Sequence, residues 1–147
     1  MAVHGGCDCG QVRYVLSRDE LPKVACCHCL DCQTRSGSAF DQTAFIDPHE
    51  LEVIGPLVTI SKVSMPSGMA ATDSFCSSCH TIIYNTHTIL TDQILLRAGT
   101  LDDSQSIVPA AHHFTKRKQS WLTLPTAVPT FEELPPPAEF SRIFGPF

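Results

Sequence analysis

Short runs of alternating or β-branched hydrophobic residues, separated by proline or glycine, dominate the first hundred positions of the chain. The clearest run is 11–16, where Val12, Tyr14 and Leu16 fall on one side of an extended strand. The other predicted strands are 43–46, 51–54, 57–63, 70–75, 81–84 and 94–98. Only 29–37 predicts a helical turn, because the glycine at its end favours a helix C-cap. The pattern predicts a mainly β domain of antiparallel sheets, with roughly eight short strands and little helix.

The carboxyl-terminal segment differs from the rest of the chain. Proline recurs from position 125 onward, and proline fixes φ and removes a backbone donor. The segment is therefore predicted to be an extended tail that either wraps over the surface or ends loosely. Its candidate anchors are Phe131, Leu134, Phe140, Ile143, Phe144 and Phe147. We predict a single domain over 1–147, with a core at about 4–124 and a tail at about 125–147.

Charge and hydropathy indicate which classes of partner this domain can have. The chain has 147 residues and a formal net charge of −5, and its ten lysine and arginine residues form no extended basic patch. A basic surface is what nucleic acids and anionic membranes require. No run of about eighteen apolar residues is present, and residues 1–6 lack the features of a secretion signal. The sequence predicts a cytoplasmic protein without nucleic-acid or membrane partners.

Eight cysteines fall in three tight clusters, at 7–9, 26–32 and 76–79. Without a secretion signal, a disulfide framework is disfavoured, and metal ligation by thiolates is the better interpretation. Cysteines two positions apart on a strand face the same side. Cysteines three positions apart suit a tight turn that presents both sulfurs to one metal ion.

The spacing divides seven of these cysteines between two zinc sites. Structural zinc prefers four protein ligands, whereas catalytic zinc keeps three and leaves one exchangeable position. The predicted closed, structural site consists of Cys7, Cys9, Cys76 and Cys79. The predicted open, catalytic site consists of Cys27, Cys29 and Cys32.

Two neighbours of the second cluster leave an alternative open. If 27–29 is extended, Cys26 and His28 point away from the metal. A bent backbone would instead recruit either of them as a fourth ligand and make the site a second structural one. A further alternative is that these thiols are free and behave as small buried hydrophobic groups. The hypothesis of an enzyme depends on the open position.

Segments around and beyond the cysteines extend the pattern. They are GCDCGQVRY at 6–14, CHCLDC at 27–32, GS at 37–38, FCSSC at 75–79, GTLDD at 99–103, and HHF at 112–114 followed by Trp121. From about residue 4 to residue 135, their order and spacing resemble the glutathione-dependent formaldehyde-activating enzyme family, also called the centromere protein V family. The resemblance implies an Mss4-like β-tent of small antiparallel sheets. It also implies two zinc ions on the ligand sets given above, and a carbon–sulfur lyase that joins or separates formaldehyde and glutathione.

Two residues depart from the pattern of that family. The family usually has glycine at the position of His80, so His80 must either adopt a left-handed conformation or turn its side chain toward the site. Cys26, directly before the second metal cluster, is the other departure. Both lie next to predicted ligands.

The leading hypothesis is a zinc-dependent lyase of the carbon–sulfur or carbon–oxygen type that acts on a small molecule, with glutathione as a candidate co-substrate. A zinc ion held by three thiolates is a weak Lewis acid, but it deprotonates a coordinated thiol. Candidates for moving a proton or gripping an acidic substrate are His28, His80, His112, Asp31 and Arg35, with Asp102 as a further carboxylate. Each also has an ordinary structural interpretation, and His4, His49 and His87 fit loop or surface positions.

Two other functions fit the same residues. One is a biosynthetic tailoring enzyme, such as a dehydratase or an isomerase, that uses the zinc ion without glutathione. The other is a non-catalytic, zinc-stabilised binding module. The phenylalanine-rich tail is also compatible with a homodimer.

Overall fold

A computed structural model describes residues 2–145 of the chain, within which there are ten strands and two α-helices. The strands are β1 Val3–Gly6, β2 Arg13–Leu16, β3 Val24–Cys27, β4 Asp41–Ile46, β5 Leu51–Ile54, β6 Leu57–Val63, β7 Ala70–Cys76, β8 Ile82–His87, β9 Ile94–Arg97 and β10 Pro109–His113. The helices are α1 Leu30–Ser36 and α2 Pro137–Phe144. The mainly β fold class is confirmed, and Gly37 closes α1 in the left-handed conformation, as expected of a helix C-cap.

The strands form two sheets. The smaller sheet has the order β1-β2-β5 and is antiparallel. The larger has the order β10-β3-β4-β9-β8-β7-β6. Its β10–β3 pair is parallel, which differs from the expectation of purely antiparallel sheets. β10 follows β9 in the chain, passes β4 and β3, and pairs with the outer edge of β3.

The hydrophobic core lies between one face of each sheet. Val12, Tyr14 and Leu16, the predicted buried side of the second strand, are fully or almost fully buried there. They meet residues of the large sheet such as Leu96. Within the small sheet, Gly5 of β1 lies opposite Tyr14 of β2, and a Cβ atom at Gly5 would lie 2.2 Å from the Tyr14 hydroxyl oxygen. Glycine is therefore required at this position.

The other face of the large sheet carries a second, smaller apolar cluster. Ala25 of β3, Phe45 of β4 and Leu95 of β9 form its centre. Phe140 and Phe144 of α2 pack against it, with ring centroids 4.9 and 5.0 Å from that of Phe45. This face, rather than the main core, carries the site described below.

The tail wraps over the surface and then becomes helical. It runs beside β10, where the amide of His112 donates to the Pro129 carbonyl and the amide of Phe131 donates to the His112 carbonyl, both at 2.9 Å. The sequence-based prediction of an extended tail is wrong for α2. Its proline occupies the first turn of the helix, where no backbone donor is needed. The predicted anchor Phe147 lies outside the described residues.

Neither α-helix within residues 2–145 has the length and apolar character needed to cross a membrane.

Candidate metal centres and active site

The first cysteine cluster joins the two sheets at one end of the core. Cys7 and Cys9 follow β1, Cys76 ends β7, and Cys79 lies in the turn before β8. Their four sulfur atoms lie within 4.8 Å of one another. The Cys7–Cys9 and Cys9–Cys76 sulfur separations are 3.6 and 3.8 Å. Zn–S bonds of about 2.3 Å in a tetrahedron place two sulfurs about 3.8 Å apart, so the cluster fits a zinc ion.

Hydrogen bonds prepare this cluster for ionised sulfur. The amide of Val12 donates to the Cys7 sulfur at 3.2 Å. The Thr81 hydroxyl lies 3.2 Å from the Cys79 sulfur. Together with nearby backbone amides, this hydroxyl lowers the pKa of Cys79 to about 5. Cysteine binds a metal ion as the thiolate, so hydrogen-bond donors that stabilise the thiolate favour metal binding.

His80 adopts the left-handed conformation, with φ of 63°. Its amide donates to the Cys76 carbonyl at 2.9 Å and completes the turn between Cys76 and Cys79. The His80 ring packs edge-on against Phe75, with ring centroids 6.0 Å apart. Of the two conformations open to His80 from the sequence, the structure thus shows the left-handed backbone, with the side chain on a neighbouring aromatic ring.

The second cluster lies where β3 meets α1. Cys27 ends β3, Cys29 is the N-cap of α1, and Cys32 lies in its first turn, with the Cys32 amide 3.4 Å from the Cys29 sulfur. The three sulfurs lie within 4.8 Å of one another, and neither Cys26 nor His28 belongs to the group. The prediction that these two neighbours point away is confirmed. Cys26 is buried, which raises the pKa of its thiol to about 12.

The three sulfurs of the second cluster share charge unequally. Hydrogen bonds from the thiols of Cys27 and Cys32 lower the pKa of Cys29 to about 2. The same contacts raise the pKa of Cys27 to about 12 and raise that of Cys32. Cys29 is thus the sulfur of the set that ionises most readily, with the thiols of its two neighbours as donors. A divalent cation in place of those protons would satisfy all three sulfurs, so the donor set fits zinc.

A cavity of about 270 Å³ opens beside the second cluster, and all three of its cysteines line it. The floor of the cavity is the face of the large sheet opposite the core, with contributions from Thr43 and Phe45 of β4, Asn85 of β8 and Leu95 of β9. More exposed residues such as Ser67 lie at its rim. The first cluster has no residue in this cavity. The two cysteine sets therefore differ in their surroundings. The first joins two strands away from the cavity, whereas the second lines a cavity large enough for a ligand.

The sequence comparison decides the family. The family model for the glutathione-dependent formaldehyde-activating enzyme matches residues 2–117. The chain belongs to this family. Its members are associated with zinc, in agreement with the two cysteine clusters, and the family is associated with enzymes.

A crystal structure of a protein from Rhodobacter sphaeroides is similar in fold. It superposes with a TM-score of 0.53 at 18% sequence identity, over 72% of this chain and 97% of that one. At this identity the likeness concerns the fold alone, which is consistent with the Mss4-like fold of the family. No curated protein matches the sequence significantly.

Asp31 and Arg35, two of the candidates from the sequence, line the cavity of this family member. The Asp31 carboxylate accepts hydrogen bonds from the hydroxyls of Ser64 and Ser67. Arg35 forms a largely buried ion pair with Asp73, to which Lys62 also donates at 2.8 Å. The Arg35 guanidinium therefore already has an ion-pair partner, and a substrate carboxylate would compete with Asp73 for it.

The other sequence candidates lie elsewhere. His28 and His112 are buried and bonded to each other, with 2.9 Å between His28 Nε2 and His112 Nδ1. Burial lowers the pKa of both rings, that of His28 to about 4. Asp102 forms an exposed ion pair with Arg13. Neither histidine, nor His80, nor Asp102 is among the described residues that line the cavity.

Two histidines that the sequence analysis did not select, His87 and His113, line the cavity within the described chain. His113 follows His112 on β10, so alternation along the strand puts it on the opposite face of the sheet, beside its register partner Cys27. His87 ends β8 and is partly buried. The sequence marked His112 and His113 as a pair, but only the pairing with β3 shows which of them faces the cavity.

His113 makes the protein sensitive to acid. Burial, aided by His112, lowers its pKa to about 4. The unfolded chain binds this proton more readily, so the free energy of unfolding falls as the pH drops below the ordinary value of 6.5. From pH 7 to pH 5 the loss from this group is about 2 kcal/mol. Urea unfolding at both pH values should show that His113→Phe loses about that much less than the wild type.

The substitution suits the surroundings, because the His113 ring packs among phenylalanine rings such as Phe131 and Phe144. Acid also weakens thiolate–metal bonds, but equally in both proteins. Equal losses for wild type and variant would contradict the buried, neutral state of His113.

Proposed function

We propose that this protein is a zinc-dependent lyase that forms or breaks a carbon–sulfur bond between a thiol, such as glutathione, and a small carbonyl compound. The observation that supports the proposal is the position of Cys27, Cys29 and Cys32, a three-sulfur set on the wall of a cavity. The family assignment supports the same reaction class. A purely structural metal site has no need of such a cavity.

The three cysteines would hold the zinc ion, which, when bound, would keep the substrate thiol in its thiolate form and stabilise negative charge near it. The reaction is an addition. A carbon–sulfur bond forms, the carbonyl π bond breaks, and the proton of the thiol ends on the carbonyl oxygen. The protein must therefore accept the thiol proton and supply a proton to the carbonyl oxygen.

The rim of the cavity offers contacts for the acidic groups of glutathione. Arg117 lines the cavity, and its guanidinium has no ion-pair partner among residues 2–145. Lys116 also lines the cavity, but pairs with Glu133. A guanidinium forms two parallel hydrogen bonds to a carboxylate. Arg117 is thus better suited than Arg35 to bind a carboxylate of the thiol substrate.

His87 is the proposed carrier of the proton. It lines the cavity and lies close enough to Cys29, Asp31 and Arg35 to feel their charges. Burial, with a further contribution from Arg35, lowers its pKa below the ordinary value. A ring nitrogen of neutral His87 can take the thiol proton and return it to the carbonyl oxygen.

His87→Gln tests this role. The variant keeps a polar side chain but cannot exchange a proton, so kcat should fall about 100-fold with little change in KM. The wild-type rate should decrease as the pH falls through the pKa of His87, and because this pKa is lowered, the decrease should lie below pH 6.5. His49→Gln, at an exposed position in the 3-10 turn Pro48–Glu50 before β5, is the matched control. An identical pH profile in His87→Gln and the wild type would remove His87 from the mechanism.

The reaction itself is tested by NMR exchange spectroscopy on glutathione and formaldehyde. Protein loaded with zinc should accelerate the interconversion of free glutathione and its hydroxymethyl adduct at least tenfold over the same concentration of zinc alone. No acceleration by protein that carries two zinc ions per chain would contradict the proposal.

A second candidate is a carbon–oxygen lyase, for example a dehydratase, that uses the same three cysteines without glutathione. The Arg35–Asp73 ion pair favours it, because the more buried of the two cavity guanidinium groups is already paired with a carboxylate, and an acidic tripeptide would have to displace Asp73 to use it. Water loss from a hydroxylated substrate, in the absence of any thiol, would distinguish this activity.

A further inference from the structure

The inner part of the cavity is apolar and lies deep in the protein. We call this part the chamber. Its walls are Ala25, Phe45 and Leu95, all at least nine-tenths buried, and the partly buried Leu90 packs against them. The three-sulfur set lines the same cavity, so a molecule in the chamber lies next to the proposed reaction site.

Two polar side chains of the chamber have no hydrogen-bond partner within the described part of the chain. Asn85 is 4% exposed and Thr43 is 7% exposed, and both line the cavity. Neither the Asn85 amide nor the Thr43 hydroxyl hydrogen-bonds to any residue in the described range 2–145. Buried polar groups are nearly always paired, and those that remain free in a cavity mark where a ligand is bound and oriented.

The strand order brings these two groups to the same face. Asn85 is the register partner of Leu95, which in turn pairs with Phe45. Thr43 lies two positions before Phe45 on β4, so its side chain projects from the same side of the sheet. Asn85 and Thr43 thus lie among the apolar residues of the floor and not among the charged residues of the rim.

Size and charge define what this space accepts. An apolar cavity of roughly 150 Å³ holds benzene. The whole cavity, rim included, has a volume of about 270 Å³, so its inner part holds about one aromatic ring or a branched alkyl group of similar size. Beside the floor, Asp41 pairs with Arg97, and Asp73 pairs with both Arg35 and Lys62, while Arg117, which has no ion-pair partner in the described range, is exposed. A charged ligand group in the chamber would lose its hydration and would have to displace one of these ion-pair partners.

The tail contributes to this selectivity. Leu134 lines the cavity, and Phe140 and Phe144 pack behind Phe45. All three lie beyond residue 117, where the match to the family model ends. The apolar enclosure is therefore built partly by a segment outside the region shared with the family.

We propose that the chamber binds an uncharged, mainly apolar part of the substrate, of the size of a benzyl or branched alkyl group, which presents one neutral hydrogen-bonding atom to Asn85 and Thr43. The carbonyl partner of the thiol is accordingly larger than formaldehyde. The ligand class follows from the chamber alone, whereas the statement about the carbonyl partner rests on the proposed function.

The ligand class can be tested without activity, by NMR titration of the zinc-loaded protein with three probes. Benzyl alcohol should shift the backbone amides of Thr43, Asn85 and Leu95. Benzoate, of similar shape but charged, should bind at least tenfold more weakly. Toluene, which lacks the hydroxyl, should also bind. Asn85→Leu and Thr43→Val should each lower the affinity for benzyl alcohol about fivefold and leave that for toluene unchanged or higher.

Thr86→Val is the matched control, because Thr86 follows Asn85 on β8 and does not line the cavity. It should bind all three probes as the wild type does. Toluene binding by Asn85→Leu and Thr43→Val confirms that both variants are folded. The proposal is overturned if benzyl alcohol shifts no amide of the chamber, if benzoate binds equally well, or if both variants keep wild-type affinity for benzyl alcohol because water already satisfies Asn85 and Thr43.

Turnover separates this inference from the proposed function. With glutathione, phenylacetaldehyde should have a kcat/KM at least tenfold above that of formaldehyde. Catalysis of formaldehyde addition without binding of benzyl alcohol would support the lyase and overturn the chamber. Binding of benzyl alcohol without any thiol addition would support the ligand class and overturn the lyase.

Discussion

Replacement of Cys76 by serine is expected to leave the chain unfolded even with zinc in excess. Cys76 ends β7, and its partners Cys7 and Cys9 follow β1, so the cluster joins parts of the chain that are far apart in sequence. A structural zinc site contributes about 10 kcal/mol or more, as much as the whole stability of a domain of this size. Far-UV circular dichroism and amide dispersion in NMR spectra should show the loss of structure.

Cys26→Ala is the matched control for this experiment. Cys26 is as deeply buried as Cys76 but belongs to neither cluster. Its loss should cost only about 1–2 kcal/mol for the lost packing, and the variant should fold and carry two zinc ions. A folded Cys76→Ser protein with normal zinc content would show that the first cluster does not hold the fold together.

Replacement of Cys29 by serine should have the opposite profile, a folded protein without activity. Serine preserves the N-cap of α1, which the Cys29 side chain provides by accepting from the Cys32 amide. The sulfur of Cys29 is the shared centre of the second cluster, and its loss should release one zinc ion per chain. We expect thiol addition to fall at least 1,000-fold, because only two sulfurs would remain to bind the metal.

Zinc content, circular dichroism and exchange rates measured on one preparation decide this prediction. The wild type treated with a mild chelator should behave in the same way, losing one metal ion and its activity but not its fold. If Cys29→Ser unfolds as Cys76→Ser does, the second cluster is a structural site and the catalytic proposal is wrong. Cys26→Ala, three residues before Cys29, should retain full activity.

Local patterns predicted much of the fold. Seven of the ten described strands coincide with hydrophobic runs, as at Val12, Tyr14 and Leu16, because alternation with one buried face is a property of the strand itself. β1, β3 and β10 were missed. Glycine in β1 and alanine and histidine in β10 have little preference for strands, and only pairing with distant strands makes them extended.

The two sulfur sets were also predictable, but most of the cavity was not. Spacings of two and three positions fix which cysteine sulfurs lie on the same side of the backbone, so the two sulfur sets could be separated by spacing alone. Arg35 is near the second cluster in sequence, yet its role is set by Asp73, on a strand that the sequence does not connect to it. His87, His113 and Asn85 reach the cavity through strand order and register, which no local pattern contains.

The arrangement of the tail has a consequence for how such proteins diversify. Every residue of the two sulfur sets lies at or before Cys79, whereas Leu134, Phe140 and Phe144, which help to enclose the chamber, come from the last third of the chain. Part of the apolar enclosure is thus encoded apart from the sulfur sets, while its centre, Ala25, Phe45 and Leu95, is not. Exchange of the final segment between relatives is expected to reshape one side of the chamber and leave both sulfur sets in place.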